Sequence, residues 1–166
     1  ATEEAVTYAV KSGLPVMYVT EDTTRASPEN IRKLYTTAIN CGARRVCVCD
    51  TVGHATPDGA YNVVSFVRNI VDKIDKNIKV DWHGHRDRGL DIPNTLAAIE
   101  AGANRVHGCA LGIGERTGNT PMDILLINLK LMGLIDNDLT KLPEYCKLVS
   151  KACKVPLPYN YPAIGT

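Results

Sequence analysis

The stretch "IEAGANRV", residues 99 to 106, decides the fold because it occurs a second time as "INCGARRV" at residues 39 to 46. Both copies share the pattern I-x-x-G-A-x-R-V, and "AVKSGLPV" at residues 9 to 16 is a looser copy. In each copy we expect a helix to end, a glycine (Gly13, Gly42 or Gly102) to take the left-handed cap position, and a strand to begin. The repeat therefore predicts a chain of alternating helices and strands.

Four short runs rich in Val and Ile are the candidate strands, and they span residues 16–19, 45–49, 78–82 and 104–109. A helical pattern follows each run, about one unit every thirty residues. Three helix starts carry a hydroxyl before a proline, in the pairs Ser27-Pro28, Thr56-Pro57 and Thr120-Pro121. We expect the hydroxyl at the N-cap and the proline at the first helical position. Connections this short favour a parallel α/β sheet covered by helices.

The composition describes an ordinary globular chain. It has 166 residues, of which 45% are hydrophobic and 22% charged, and a net charge of +1. Such a charge predicts neither a nucleic-acid partner nor a membrane surface, and we expect no membrane span. The six cysteines form no C-x-x-C pair, and the sequence shows no secretory leader, which predicts reduced thiols and a cytoplasmic location.

The pattern changes after Gly133. One further helix is predicted, with one apolar face that consists of Leu142, Tyr145, Leu148, Val149 and Ala152, and a Pro-rich extended stretch follows it. We therefore predict a catalytic part at residues 1–133. Residues 134–166 are predicted to be a helical connector and linker towards an accessory domain.

Ligands of parallel α/β folds bind beyond the carboxyl ends of the strands. Ionisable and hydroxyl residues follow all four predicted strands: Glu21 and Asp22, then Thr51, then His83 and His85, then the stretch "GIGERTGN" at residues 112 to 119. These positions are the candidate site.

His83 and His85 are expected to project from the same face of a strand, because alternate residues do. Two neutral imidazoles can bind one divalent ion, and Asp87 is close enough in sequence to orient one of them. The alternative is a hydrogen-bonded pair that caps the strand, since two ligands alone do not make a site. His54 and His107 are predicted to be structural.

The glycines of "GIGERTGN" let the backbone approach a ligand closely, and Glu115 and Arg116 put both charges in this loop. The alternative is a plain turn in which Asn119 and Thr120 cap the next helix. Glu21 and Asp22 are equally compatible with a surface acidic pair or with an ion pair to Arg25. Thr51 is equally compatible with a hydroxyl that only stabilises a turn.

Four motifs in fixed order carry a family resemblance. E-D-x-x-R, D-T-V-G-x-A-T-P, H-x-H-x-D-x-G and G-x-G-E-R-x-G-N, over roughly residues 5 to 133, resemble the acetyl-CoA-dependent Claisen condensing enzymes. These are 2-isopropylmalate, homocitrate and citramalate synthases, relatives of hydroxymethylglutaryl-CoA lyase. The resemblance implies a TIM (β/α)₈ barrel of which this chain is the second half, its last four β/α units.

The resemblance also implies the cofactors and partners. They are a divalent metal, Mg²⁺ or Mn²⁺ with Zn²⁺ as an alternative, acetyl-CoA as co-substrate, a small 2-oxo acid and a homodimer in the full-length protein. It implies a first strand and an accessory domain that this chain lacks. The isolated chain is therefore expected to be inactive and, with two open sheet edges, to associate.

Site roles follow by position from the resemblance. Metal ligands are His83, His85 and Asn119; the 2-oxo acid binds Thr51; catalytic residues are Glu21, Glu115 and Arg116; and acetyl-CoA lies against Gly112, Gly114, Glu115 and Arg116. Two positions depart from the commoner pattern, Arg86 and Leu111, each at a place where asparagine is frequent. These departures leave the exact acceptor open.

The function implied is an acyltransferase that condenses acetyl-CoA with a 2-oxo acid. The preferred acid is 2-oxoisovalerate, giving 2-isopropylmalate for leucine biosynthesis, with homocitrate and citramalate synthases as alternatives. A lyase of the hydroxymethylglutaryl-CoA type is a rival, although "GIGERTGN" has no cysteine where that lyase has one. An amidohydrolase-like metal hydrolase and a non-catalytic half-barrel interaction module are two further rivals.

Overall fold

Four strands pair side by side, all parallel, in the order β1-β2-β3-β4. Their bounds are β1 Met17–Val19, β2 Arg45–Asp50, β3 Lys79–Gly84 and β4 Arg105–Val106. The predicted parallel sheet with alternating helices is confirmed. The fourth strand is shorter than its predicted run. Beyond Val106 the His107 N–H still donates to the Trp82 carbonyl of β3 at 2.9 Å, and Cys109 then forms an isolated bridge with Pro121.

The computed structural model describes residues 1–164, and Gly165 and Thr166 of the predicted linker lie outside the described residues. The helices are α1 Thr2–Lys11, α2 Pro28–Asn40, α3 Pro57–Ile74, α4 Asp91–Glu100, α5 Met122–Leu131 and α6 Leu142–Cys153, with 3₁₀ turns at Thr23–Arg25 and Ala110–Gly112. The chain forms two compact units, Ala1–His107 and Gly108–Thr166. The functional division at residue 133 stays a prediction. No helix in the described part of the chain has the length and apolarity to cross a membrane.

The helix boundaries follow the sequence signals in all but one case. Gly13, Gly42 and Gly102 have positive φ values of 78°, 107° and 96°, as predicted. The hydroxyls of Ser27 and Thr56 cap α2 and α3 by accepting the backbone N–H groups of Asn30 (3.3 Å) and Gly59 (3.2 Å).

The third predicted cap is wrong. Helix α5 begins at Met122 with Pro121 in the cap position and no capping side chain. Residues 120 and 121 instead continue in extended form alongside Cys109, whose N–H donates to the carbonyl of Thr120 at 2.9 Å. Because this pairing keeps residues 120 and 121 extended, the helix begins only at Met122, and Thr120 lies one residue before the cap position.

The hydrophobic core of the first unit lies between the sheet and its helices. Val46, Val48, Val80 and Trp82 alternate along β2 and β3 and are fully buried. They pack with fully buried residues of the helices, including Tyr35, Val64, Val67 and Val71. Burial of each such side chain is worth about 1.5 to 3 kcal/mol. This packing fixes the sheet, and with it the direction in which the alternate residues point.

In the second unit, α6 confirms the predicted helix but not its predicted apolar face. Leu142 and Cys146 are its buried residues, whereas Leu148 is exposed and Tyr145 is near the boundary of exposure. The helical period brings residues four apart to one side, and Cys146 lies on that side together with Leu142.

Candidate active site

The face of the sheet turned away from the helix core is polar. Successive strand residues alternate between faces, so Arg45, Cys47 and Cys49 of β2 lie on this second face, as do Asp81 and His83 of β3. The register puts Cys47 beside Asp81, and Cys49 beside His83. The two strands therefore present ionisable groups to one side along their whole length.

Asp81 is the charge centre of this face. Its carboxylate is fully buried and forms ion pairs with the guanidinium groups of Arg45 and of Arg105, the latter at 2.6 Å. One of its oxygens, Oδ2, also lies 3.1 Å from Nε2 of His107. A buried carboxylate is costly unless it is paired, and here two cations and an imidazole surround it.

Three histidine rings adjoin one another at the end of β3. The centroids of His83 and His85 are 5.3 Å apart in an edge-to-face arrangement, and those of His83 and His107 are 5.4 Å apart. The Nδ1 atoms of His83 and His107 are 3.3 Å apart. The two histidines of the H-x-H motif are thus adjacent, as expected, and His107 joins them.

The sequence predicts a structural role for His107, which stays a prediction, and does not place this residue beside His83. Its N–H donates to the carbonyl of Trp82 at 2.9 Å, which continues the β3–β4 pairing and brings it beside His83. The available signal was the alternation of residues along β4 and the residue that follows it. Arg105 and His107 project from one face, and on the same face the neighbouring parallel strand β3 carries Asp81 and His83.

His85 is 6% exposed, and its Nδ1 has no hydrogen-bond partner among residues 1–164. Its backbone N–H donates to the carbonyl of Asp50 at 3.1 Å, which fixes the start of the loop. A buried ring nitrogen without a partner is costly in a structural histidine and fits a ring that binds a ligand. No group of three or more His, Cys, Asp and Glu side chains in the described chain is arranged to hold a metal.

Thr51 ties together the loops that follow β1 and β2. Its Oγ1 accepts the backbone N–H of Asp22 at 2.7 Å. Asp22 has the left-handed φ of 57° and forms an ion pair with Arg25 at 2.6 Å. The guanidinium of Arg25 holds the pKa of Asp22 below its usual value. Glu21, the candidate catalytic carboxylate next to it, is exposed.

Asp50 holds the loop after β2, a role that the sequence reasoning did not assign. It is fully buried, and its carboxylate accepts the backbone N–H groups of His54 (2.8 Å) and Ala55 (3.1 Å) and the hydroxyl of Thr24 (3.0 Å). The same loop packs on Asp87: a Cβ at Gly53 would lie 2.8 Å from the backbone nitrogen of Asp87. This contact explains the glycine of the D-T-V-G motif.

The glycine-rich loop lies in the second unit. Gly112 is buried, whereas Glu115 and Arg116 are exposed, and the loop closes through a hydrogen bond from the Gly118 N–H to the Glu115 carbonyl at 2.9 Å. Arg116 has a φ of 59°, which is uncommon outside glycine. The two charged candidates thus stand at the accessible tip of a tight turn.

Asn119 is buried beneath this loop and lies directly against Gly114. A Cβ added at Gly114 would overlap the Oδ1 atom of Asn119. The same oxygen lies 3.4 Å from the thiol of Cys109, which donates to it. The loop therefore requires glycine at position 114 to accommodate the amide that the sequence singled out as a ligand.

Asp123 connects the start of the loop to the Pro-rich stretch. Its buried carboxylate accepts the backbone N–H of Leu111 at 3.0 Å and the hydroxyl of Tyr161 at 2.8 Å. Leu111 has a φ of 56°, a conformation that asparagine adopts more readily than leucine. Asp123 thereby holds the backbone at a residue other than glycine that adopts the left-handed conformation.

Two buried thiols complete the polar face of β2. The Sγ atoms of Cys47 and Cys49 are 3.8 Å apart. The Cys49 sulfur and burial both raise the pKa of Cys47 well above the ordinary thiol value. Cys47 is therefore a neutral thiol on this face.

Known proteins of similar sequence include two named synthases. A "Probable 2-isopropylmalate synthase" from Methanopyrus kandleri is 37% identical over 98% of this chain and 32% of its own length. A homocitrate synthase from Sulfurisphaera tokodaii is 35% identical over 98% of the chain and 35% of its own length. The chain thus spans about a third of the length of these relatives.

A solved structure shows the same fold. The HMG-CoA lyase of Bacillus subtilis superposes with a TM-score of 0.79 at 21% identity, over 95% of this chain and 56% of that one. The parallel sheet and its helices are part of a TIM barrel. The sequence pattern of the HMGL-like family matches residues 1–149. This chain therefore belongs to the HMGL-like family.

Proposed function

We propose that this chain carries part of the active site of an acyltransferase that condenses acetyl-CoA with a 2-oxo acid. The observation that carries the proposal is the pair of adjacent imidazoles, His83 and His85, at the carboxyl end of β3, with Nδ1 of His85 buried and unpartnered. Relatives at 35% and 37% identity are named as synthases of this kind. Their names support the reaction class more strongly than any one acceptor.

The acceptor we favour is 2-oxoisovalerate, which would give 2-isopropylmalate and place the enzyme in leucine biosynthesis. The support from the relatives is small, because the 2-isopropylmalate synthase is 37% identical to this chain and the homocitrate synthase is 35% identical. The alternatives are 2-oxoglutarate, giving homocitrate, and pyruvate, giving citramalate. The residues that contact the acceptor side chain decide among them.

A divalent ion, Mg²⁺ or Mn²⁺ with Zn²⁺ as the alternative, belongs to this proposal. His83 and His85 would hold it through imidazole nitrogens. Asn119 stays a predicted ligand that rests on the sequence resemblance. When bound, the ion polarises the acceptor carbonyl and stabilises negative charge on its oxygen.

The other residues bind substrates and move protons. Thr51 accepts the Asp22 N–H with its hydroxyl oxygen, and in this proposal it contacts the 2-oxo acid. One of the carboxylates, Glu21 or Glu115, accepts a proton from the acetyl methyl group. The carbanion attacks the carbonyl carbon, and hydrolysis of the thioester releases coenzyme A. Arg116, exposed at the loop tip, attracts the anionic substrates.

The test is release of coenzyme A from acetyl-CoA, measured by chromatography with each of the three acids in turn. The protein is the longest form that carries this chain, with Mn²⁺ supplied and its binding measured separately. Turnover with one acid, with the condensation product identified by mass, supports the proposal and names the acceptor. No release with any acid, in protein that binds Mn²⁺, would contradict it.

Two variants assign that activity to the proposed site. His85→Ala should abolish release, whereas His54→Ala should retain it. The His54 side chain is exposed, and the hydrogen bonds of this residue to Asp50 and from Arg88 use backbone atoms that the variant keeps. Full activity of His85→Ala at low metal concentration would overturn the ligand assignment.

A further inference from the structure

We propose that a cavity at the amino ends of the strands binds a small anion that carries a diphosphate group. His83 and His85 stand at the carboxyl end of β3 and just beyond it, whereas this cavity lies at the amino end of the same strand, beside Lys79. It is therefore a second site, apart from the residues of the proposed function.

The cavity forms where the parallel strands begin. Its volume is about 450 Å³. The polar and longer side chains that line it belong to the first residues of the strands or to the loops before them: Met17, Arg44, Arg45, Asn77, Lys79 and Arg105. Because neighbouring strands lie only about 4.8 Å apart, the pairing of their first residues brings these side chains together.

The lining of the cavity is strongly positive. Four of the lining residues are cations, and among the described residues that line it none is acidic. Two carboxylates outside the lining contact these cations. Asp81 is shared by Arg45 and Arg105, and Asp75 lies 3.6 Å from Arg44. Even with both carboxylates ionised, two positive charges remain uncompensated.

The cations of the lining also have donors to spare. Lys79 is exposed, and its ammonium group has no hydrogen bond or ion pair with any of residues 1–164. Arg44 is exposed and reaches its carboxylate only at 3.6 Å, beyond an ordinary hydrogen bond. Nη2 of Arg105 lies 3.4 Å from the thioether sulfur of Met17, which is a weak acceptor. Stronger acceptors supplied by an anion would satisfy these groups.

The register adds a like-charge contact that an anion would relieve. Arg45 and Lys79 are Cα partners of neighbouring strands, so their side chains leave the same face side by side. Like charges at directly paired positions destabilise a sheet. A bound anion turns this repulsion into two attractions, which a solvated surface does not.

The chemistry of the lining favours phosphate groups. A guanidinium binds two oxygens of one phosphate in a fork, and a lysine adds a mobile point charge. Two uncompensated charges match a diphosphate better than a single phosphate. The cavity volume of about 450 Å³ is typical of small-ligand sites. The net charge of +1 provides no extended field for a nucleic acid, so the ligand is a small molecule.

The first test is calorimetric titration with inorganic pyrophosphate. The protein is the longest form that carries this chain, freed of metal on a chelating resin, at constant ionic strength so that screening does not change. We expect one saturable site, with citrate as an anion of similar charge binding at least about 10-fold more weakly. No saturable binding, or equal binding of citrate, would overturn the proposal.

Three variants locate the site. Lys79→Gln and Arg44→Gln should each weaken pyrophosphate binding by about 5- to 10-fold, because each removes one charge-assisted contact. Both side chains are exposed, so these variants should fold as the wild type does. Lys33→Gln is the matched control, since it removes the same charge from an exposed position on α2. Equal loss of affinity in all three would show an effect of net charge and refute the site.

Protection from acetylation gives a readout that needs no variant. Acetic anhydride modifies accessible lysines, and mass spectrometry measures the rate at each one. Saturating pyrophosphate should slow modification of Lys79 and leave that of Lys33 unchanged. Unprotected Lys79 in saturated protein would overturn the assignment. Neither this measurement nor the titration involves coenzyme A release or a metal, so their failure leaves the proposed function untouched.

ADP separates two sources of the diphosphate group. Tighter binding of ADP than of pyrophosphate, with the same protection of Lys79, supports the site and assigns its ligand to the nucleotides. Weaker binding of ADP at the same lysine supports a diphosphate without a nucleoside. ADP that binds tightly but leaves Lys79 unprotected, in protein that does not bind pyrophosphate, would place the diphosphate elsewhere and overturn the proposal.

Discussion

The hydroxyl oxygen of Thr51 accepts the backbone N–H of Asp22 at 2.7 Å and so joins the loop after β2 to the loop after β1. Thr51→Val keeps the shape but removes the acceptor, and it should lower the free energy of unfolding by about 1 kcal/mol. It should also raise KM for the 2-oxo acid more than it lowers kcat. Denaturant unfolding and steady-state kinetics check both effects, with Thr51→Ser as the control that retains the oxygen. Equal behaviour of the Val and Ser variants would refute the role of the hydroxyl.

Gly114→Ala should displace the side chain of Asn119. The added methyl group overlaps Oδ1 of that buried amide, and the cost of such overpacking is about 1 to 3 kcal/mol. In the Asn119→Ala background the obstacle is gone, and the same change should cost almost nothing. Unfolding free energies of the four proteins in this double-mutant cycle measure the coupling. Additive effects would mean that position 114 is sensitive for a reason other than Asn119.

Tyr161→Phe should loosen the start of the glycine-rich loop. The variant removes the hydroxyl that donates to Asp123 at 2.8 Å, a hydrogen bond to a buried carboxylate that is worth about 1 to 3 kcal/mol. Because Asp123 also holds the Leu111 amide, hydrogen exchange of that amide should speed up. Tyr159→Phe is the matched control, since Tyr159 is 79% exposed. If both variants exchange alike, the Tyr161 contact does not stabilise the loop.

Alkylation should distinguish the cysteines at pH 8. Burial raises the pKa of Cys146 to about 11, so this residue is almost wholly an unreactive thiol three units below its pKa. The pKa of Cys47 is raised as well, whereas Cys153 is exposed. Mass spectrometry after iodoacetamide treatment should find Cys153 labelled first, and all six cysteines labelled only in denaturant. Labelling of Cys146 in the native chain at the rate of Cys153 would contradict the described burial.

The fold was largely predictable because its signals are local. A glycine that follows a helix and precedes a β-branched run, as at Gly42 and Gly102, specifies a junction within eight residues of sequence. The prediction that failed concerns the exact residue at which a helix begins. Thr120 has the right residue type for a cap, but pairing of the neighbouring backbone with Cys109 delays the helix until Met122.

The site was predictable only where residues are close in sequence. His83 and His85 follow from alternation along one strand. Asp81 and His107 lie 26 residues apart and become partners only through the register of β3 with β4. The sequence predicts the orienting carboxylate at Asp87, and that role remains a prediction, whereas Asp81 contacts His107 directly. A register is a property of the folded sheet, which no short motif encodes.

His85→Leu should make the metal-free chain more stable and at the same time remove its response to metal. Nδ1 of His85 is buried without a partner in the described chain, and such a nitrogen costs about 1 to 3 kcal/mol that an apolar side chain of similar size does not. If that cost is retained because the ring binds an ion, wild type should gain melting temperature with Mn²⁺ and the variant should not. Calorimetric melting with and without Mn²⁺ measures both effects, and His54→Leu, at an exposed position, should leave both unchanged. A variant that is less stable than the wild type without metal, or that still responds to Mn²⁺, would show that His85 supports the fold rather than a ligand.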